Sequence, residues 1–159
     1  MQMRPLTLLA ITVAALLLLL GPVAQASDNN VGTWKLNLAK SKYIPGPAPF
    51  ESTLKIEPET NGLKFTFHGT DAEGKPVDFE FIPRFDGKDY RVTGLAEADT
   101  IVLKRINANT IETVTKKAGK PVMTTRSVVS KDGKTRTSTQ TGKNPNGQNV
   151  KNTLVYDKQ

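Results

Sequence analysis

The punctuation of this chain constrains it more than any single motif does. From residue 32 onward, short runs of alternating apolar and polar residues are cut by glycine-centred turns at Glu73-Gly74-Lys75, Asp86-Gly87-Lys88, Ala118-Gly119-Lys120, Asp132-Gly133-Lys134 and Asn146-Gly147-Gln148. Glycine, asparagine and aspartate tolerate the left-handed and tight-turn geometry that joins neighbouring strands. Weaker turn signals fall at 59–62, 94–98 and 107–109. The intervals between turns define ten strands, at 32–38, 50–57, 63–69, 77–84, 89–94, 100–106, 110–117, 121–130, 134–141 and 149–157. Period-two patterning dominates, and beyond residue 26 no apolar positions recur at helical spacing over three turns. The expectation is an all-β chain laid out as a meander of hairpins.

A meander of ten strands leaves two unpaired edges unless it closes on itself, and closure is how up-and-down barrels remove them. No break in composition divides residues 27–159. The predicted architecture is therefore a single antiparallel up-and-down β-barrel of about ten strands, with an open sandwich as the alternative.

Residues 1–26 read as an address. Arg4 precedes an uncharged apolar block, Leu8 to Leu20, followed by Gly21-Pro22 and the small-residue end Ala24-Gln25-Ala26. This is the three-part pattern of a secretory signal peptide. The apolar block is 13 residues long, short of the roughly 20 that a spanning helix needs. Cleavage near Ala26 is expected, leaving a periplasmic or secreted domain, 27–159, with no stable membrane anchor; a retained anchor is the competing reading. There is no cysteine, so neither a disulfide nor a lipid-modified cysteine can hold the exported chain. The net charge is +7, and only Arg4 of the basic residues belongs to the leader. That balance favours anionic partners such as lipid head groups, envelope polymers or carboxylates. Nucleic acid is not expected, because the leader takes the chain away from it.

Strand patterning also describes the interior. Trp34, Leu36 and Leu38 share a face, as do Leu63, Phe65 and Phe67, and Val77, Phe79 and Phe81; these faces should point inward. The later strands are different. Ile111, Thr113 and Thr115 share a face, Val122, Thr124, Arg126 and Val128 share another, and 134–141 contains no apolar residue at all. A closed barrel must then have a hydroxyl-rich stretch of inner wall, suited to water or to a ligand with a polar end. On the face set by Val122 and Val128, Arg126 projects inward, where a guanidinium needs an anionic partner. A bulge or register slip in this hairpin would instead turn it to solvent.

Catalytic constellations are missing from the sequence. The one histidine, His68, lies on the polar face of its strand with Lys64 and Thr66. The absence of cysteine removes thiol nucleophiles and the commonest zinc sites. Each glycine turn joins two strands instead of opening a helix, so no phosphate loop forms. The acidic pairs Asp71 with Glu73 and Glu97 with Asp99 fall in turns. No enzyme activity, cofactor or metal is expected.

The opening of the first strand, "VGTWKL" at Val31 to Leu36, and the final "LVYDKQ" at Leu154 to Gln159 resemble the calycin superfamily. The likeness is greatest to fatty-acid-binding proteins, and extends to lipocalins through Gly32-Thr33-Trp34. The pattern from "GTWKLNLAKSKY" through "PGPAP", "FDGKDY" and "VVSKDGKT" to "VYDK" is similar to exported bacterial proteins described as lipocalin-like. The resemblance implies that Trp34 seals one barrel end, crossed by a cation from Lys158 or Arg136. It also implies a ligand site containing Tyr156, with Arg126 near the place of a family arginine. Two departures stand out. Leu154 occupies the position where fatty-acid-binding proteins carry a carboxylate-gripping arginine, and the helical lid after the first strand is replaced by 39–49. There Pro45, Pro47 and Pro49 favour extended backbone, as a stiff strap across the barrel mouth.

Two functions follow as expectations. One is a small-ligand-binding barrel holding a hydrophobic or amphipathic molecule such as a fatty acid. Its site would comprise Phe65, Phe67, Phe79 and Phe81, with Arg126, Thr124 and Tyr156 at the polar end. The other is an envelope module with no internal ligand. It would bind a protein or anionic polymer through the barrel end where Lys40, Lys42, Lys75, Lys116, Lys117, Lys120 and Lys143 gather.

Overall fold

The computed structural model describes residues 28–159; the predicted leader and its cleavage point lie outside the described residues. Ten strands form in chain order: β1 (Gly32–Leu36), β2 (Glu51–Glu59), β3 (Gly62–Thr70), β4 (Pro76–Phe81), β5 (Tyr90–Thr93), β6 (Thr100–Asn107), β7 (Thr110–Lys117), β8 (Lys120–Val129), β9 (Thr135–Lys143) and β10 (Asn149–Lys158). Every strand pairs antiparallel with its sequence neighbour, and β1 pairs with β10 through Trp34↔Lys158, Lys35↔Asp157 and Leu36↔Tyr156, which closes the barrel. The turn at Ala118-Gly119 shows why the punctuation works. Both residues have positive φ, 48° and 75°, the geometry whose twist matches that of the strands it joins.

The first strand is shorter than its alternation suggests. It ends at Leu36, and a single 3-10 turn, Leu38–Lys40, follows, with the Asn37 side chain accepting a hydrogen bond from the Lys40 backbone N–H at 3.1 Å. Leu38 is consequently exposed and does not share the inward face of Trp34 and Leu36. The start of the segment expected as a strap pairs with β10. The Lys42 backbone exchanges hydrogen bonds with that of Thr153 (2.7 and 2.8 Å), and the Lys151 N–H donates to the Ile44 carbonyl (2.8 Å). Residues 42–44 therefore continue beside β10 where short β1 leaves off, and Pro49 reaches the cavity rim.

One barrel end is filled. Trp34, Ile56, Leu63, Leu103, Ile111 and Val129 are all essentially inaccessible and pack together. Each contributes about 2 kcal/mol through the apolar surface it removes from water. Beneath them the chain folds in from both sides. Residues 82–86 cross under β3, with the Phe85 N–H donating to the Asn61 carbonyl (2.8 Å) and the Leu63 N–H to that of Pro83 (3.1 Å). From the other side Asn30 is fully buried, and its carbonyl accepts from Trp34 Nε1 at 2.9 Å. The Lys158 ammonium lies 5.0 Å from the Trp34 ring centroid, so Lys158, and not Arg136, is the cation over this ring.

The later strands correct the facing of β8. Thr115 pairs with Met123 but Lys116 pairs with Pro121, so Val122 is an extra residue in the ladder. Pro121 has no N–H to give to the ladder, and a bulge beside it accommodates that loss. One inserted residue inverts the face of everything after it. Met123, Thr125, Ser127 and Val129 point inward, with Ser127 and Val129 buried, while Arg126 and Val128 are exposed.

Candidate ligand cavity

Above the packed end the barrel is hollow, enclosing about 1030 Å³, the size of a small-molecule site. The loops after β1, β3, β5, β7 and β9 surround its mouth, as meander connectivity requires. Tyr43, Pro49, Glu97 and Lys143 reach the rim.

All four phenylalanines expected in the site line this cavity. They come from facing positions of one hairpin, Phe65↔Phe81 and Phe67↔Phe79. The rings stack in those pairs with centroids 4.7 and 4.5 Å apart and planes within 18°. Phe79 and Phe81 continue the series at 6.1 Å and 10°. β3 and β4 thus present one flat aromatic wall, extended by Leu54 and Val92.

Tyr156 lines the cavity too, almost fully buried. The other two polar candidates do not. Arg126 projects to solvent opposite Glu112, and Thr124 stays on the same outer face of the sheet, half-buried. The bulge at Val122 removes both from the interior. The interior guanidinium belongs to Arg136, directly across the ladder from Tyr156 and only 3% exposed. Sequence reasoning missed it in this role because both faces of β9 are polar; its signal was the register that sets it against Tyr156.

Arg136 sits at the floor of the cavity. Its Nη1 donates to Asn30 Oδ1 at 2.7 Å. The Asn30 side chain donates in turn to Asp28 Oδ1 at 2.9 Å, and the other Asp28 oxygen accepts from Arg105. No acid touches the Arg136 guanidinium directly, and its buried Nε has no hydrogen-bond partner among the described residues. Burial lowers its pKa to about 10, against the opposing effects of Tyr156 and Asp28. The Tyr156 hydroxyl is pushed up by burial, with the Ser52 hydroxyl and Arg136 pulling the other way. At neutral pH the floor is one cation beside a neutral phenol. Ser127 and Ser138, just above, share a 2.8 Å hydrogen bond.

Outside the barrel, His68 is exposed on the β3 surface with Nδ1 2.6 Å from Asp78 Oδ1. The basic character of the mouth is diluted: Lys40 pairs with Asp157 (3.3 Å), Lys116 with Asp89 (2.7 Å) and Lys117 with Asp99 (2.9 Å).

Ten antiparallel strands in sequence order, closed first to last around an internal cavity, define an up-and-down β-barrel. No family model matches the chain. No curated protein matches it. Among solved structures, it is similar to zebrafish ileal bile acid-binding protein complexed with cholic acid, at 12% identity with a TM-score of 0.48, over 82% of this chain and 99% of that one.

Proposed function

We propose that this protein is an exported, non-catalytic carrier of a small amphipathic molecule with an anionic group, held in the barrel with that group at Arg136. One observation carries the reading: a guanidinium buried at the floor of an apolar-walled cavity, touched by no carboxylate and with an unpartnered donor among the described residues. Burying an unpaired charge is costly, and an incoming carboxylate or comparable anion offsets that cost. Tyr156 and Ser52 stand beside it to complete the anion's hydrogen bonds. The leader pattern at 1–26 supports export. The experiment is a fluorescence titration of residues 27–159 with oleate and with its methyl ester. The acid binds at micromolar affinity or better and the ester more weakly. In Arg136→Gln the acid's affinity falls about tenfold or more, as expected for loss of a charged hydrogen bond worth about 1.5–3 kcal/mol. A protein that binds neither compound ends the carrier reading.

A further inference from the structure

A line of side chains runs from the cavity floor to the outside of the plugged end: Arg136, Asn30, Asp28 and Arg105. Arg136 lines the cavity, whereas Arg105 is exposed, with its guanidinium 4.1 Å from the Phe85 ring centroid. The line holds a guanidinium at each end and a single carboxylate between them, so one positive charge is left over, and the order of the residues decides where it lies. Asp28 pairs directly with Arg105. The surplus therefore falls on Arg136. Its ladder neighbours supply no counter-charge, being Tyr156 on β10 and Val129 on β8.

Asn30 makes this separation. It is fully buried between a group that can only donate and a group that can only accept. Its Oδ1 accepts from Arg136 Nη1 at 2.7 Å, and its Nδ2 donates to Asp28 Oδ1 at 2.9 Å. An amide serves both sides; an aspartate would meet Arg136 but repel Asp28, and an apolar side chain would serve neither. Backbone bonds hold the amide in place: the Asn30 N–H donates to Asp28 Oδ1 at 3.0 Å, and the Asn30 carbonyl accepts from Trp34 Nε1 at 2.9 Å. The amide oxygen takes up one donor of the guanidinium without neutralising it. A carboxylate at the same place would form a buried ion pair with Arg136, and an incoming anion would find the charge already matched.

Resting on the carrier reading, we infer that Asn30 is a positioning residue that sets the charge preference of the cavity. By holding Arg136 with a neutral oxygen and keeping Asp28 one side chain away, it reserves the guanidinium for an anionic ligand. The choice between acids and neutral molecules is thus governed by a residue ahead of β1 that touches the ligand only through Arg136.

The test exchanges two residues of the line. In Asp28→Asn/Asn30→Asp the net charge is unchanged, but the carboxylate moves one place inward. Oleate and its methyl ester are titrated against residues 27–159 by fluorescence, and the ratio of their affinities is read, because damage to the plug alone lowers both together. The unaltered protein is expected to prefer the acid by about tenfold or more, the value of one charged hydrogen bond. The exchange should cut that preference below about threefold, because the ligand then competes with an internal anion. Asp28→Asn alone removes the outer ion pair without supplying an inner one. The Asp28 charge favours the Arg136 cation from a distance, so in this variant the ratio should be at least that of the unaltered protein. Where the exchanged protein gives no cooperative melt, Asn30→Asp is read in the same way. If the exchange or Asn30→Asp leaves the ratio above about threefold, or Asp28→Asn lowers it, the role of Asn30 is overturned while the carrier reading stands. If the unaltered protein binds neither compound, or does not prefer the acid, both fall.

Discussion

At the scale of single residues, Arg136 determines how the protein should respond to pH. Its pKa is lowered from 12.5 to about 10, chiefly by burial. The folded protein thus binds this proton more weakly than an unfolded chain would, and the charge opposes folding until an anion joins it. The guanidinium is nonetheless cationic at all pH values well below 10. Affinity for oleate should therefore be flat from pH 7 to 9 and decline as pH rises through 10, while the methyl ester shows no such decline; parallel titrations of the two compounds check this. Arg126→Ala should leave oleate affinity unchanged, because that side chain is outside the barrel. Neither point was available from composition. Two arginines ten residues apart sit in equally polar, threonine-rich strands, and a one-residue bulge at Val122, ahead of both, turns the first of them out of the cavity.

At the scale of elements, the β7–β8–β9 region shows what alternation can and cannot reveal. All ten strands were legible, because the turns between them need residues with unusual backbone freedom. The aromatic wall was legible because Phe65, Phe67, Phe79 and Phe81 alternate with polar neighbours. The facing of β8 was not, since its valines at 122 and 128 suggest one face and the bulge at Val122 enforces the other. Pro121 was the available signal. The bulge has a partner that can be tested. Gly142 lies opposite Met123, and a Cβ there would stand 2.9 Å from the Met123 Cα and overlap the Val122 carbonyl oxygen. Both of these atoms are backbone, so no flexible side chain can give way. Gly142→Ala should cost more than about 2 kcal/mol, within the range for imposed backbone strain. Gly119→Ala, at φ 75° with open space around it, should cost about 1 kcal/mol from left-handed strain alone. Urea denaturation of the two variants gives the ranking.

At the scale of the whole molecule, the closed end depends on four residues, 28–31, that precede the first strand. Asp28 carries the outer half of that plug. Burial alone would raise its pKa, but hydrogen bonds from Arg105 and Asn30 outweigh this and hold it below the ordinary 3.8. A depressed carboxylate contributes stability that is present above pH 3.8 and lost as pH falls through the folded value. Trp34, the only tryptophan, bonds to the Asn30 carbonyl, so its emission should shift to the red below that pH as 28–31 detaches. In Asp28→Asn the melting temperature should be lower at pH 7, and the acid shift should be reduced. The same end of the barrel imposes an order on events in time. Trp34 pairs on one side with nearby Leu54 but on the other only with Lys158, and contacts that distant carry their entropic cost before they return any stability. No subset of the strands can complete the enclosure early, and every partial sheet keeps two edges able to pair with another chain. The hollow core thus comes into existence last, in a single step, and a chain interrupted anywhere before β10 is a candidate for association with its neighbours.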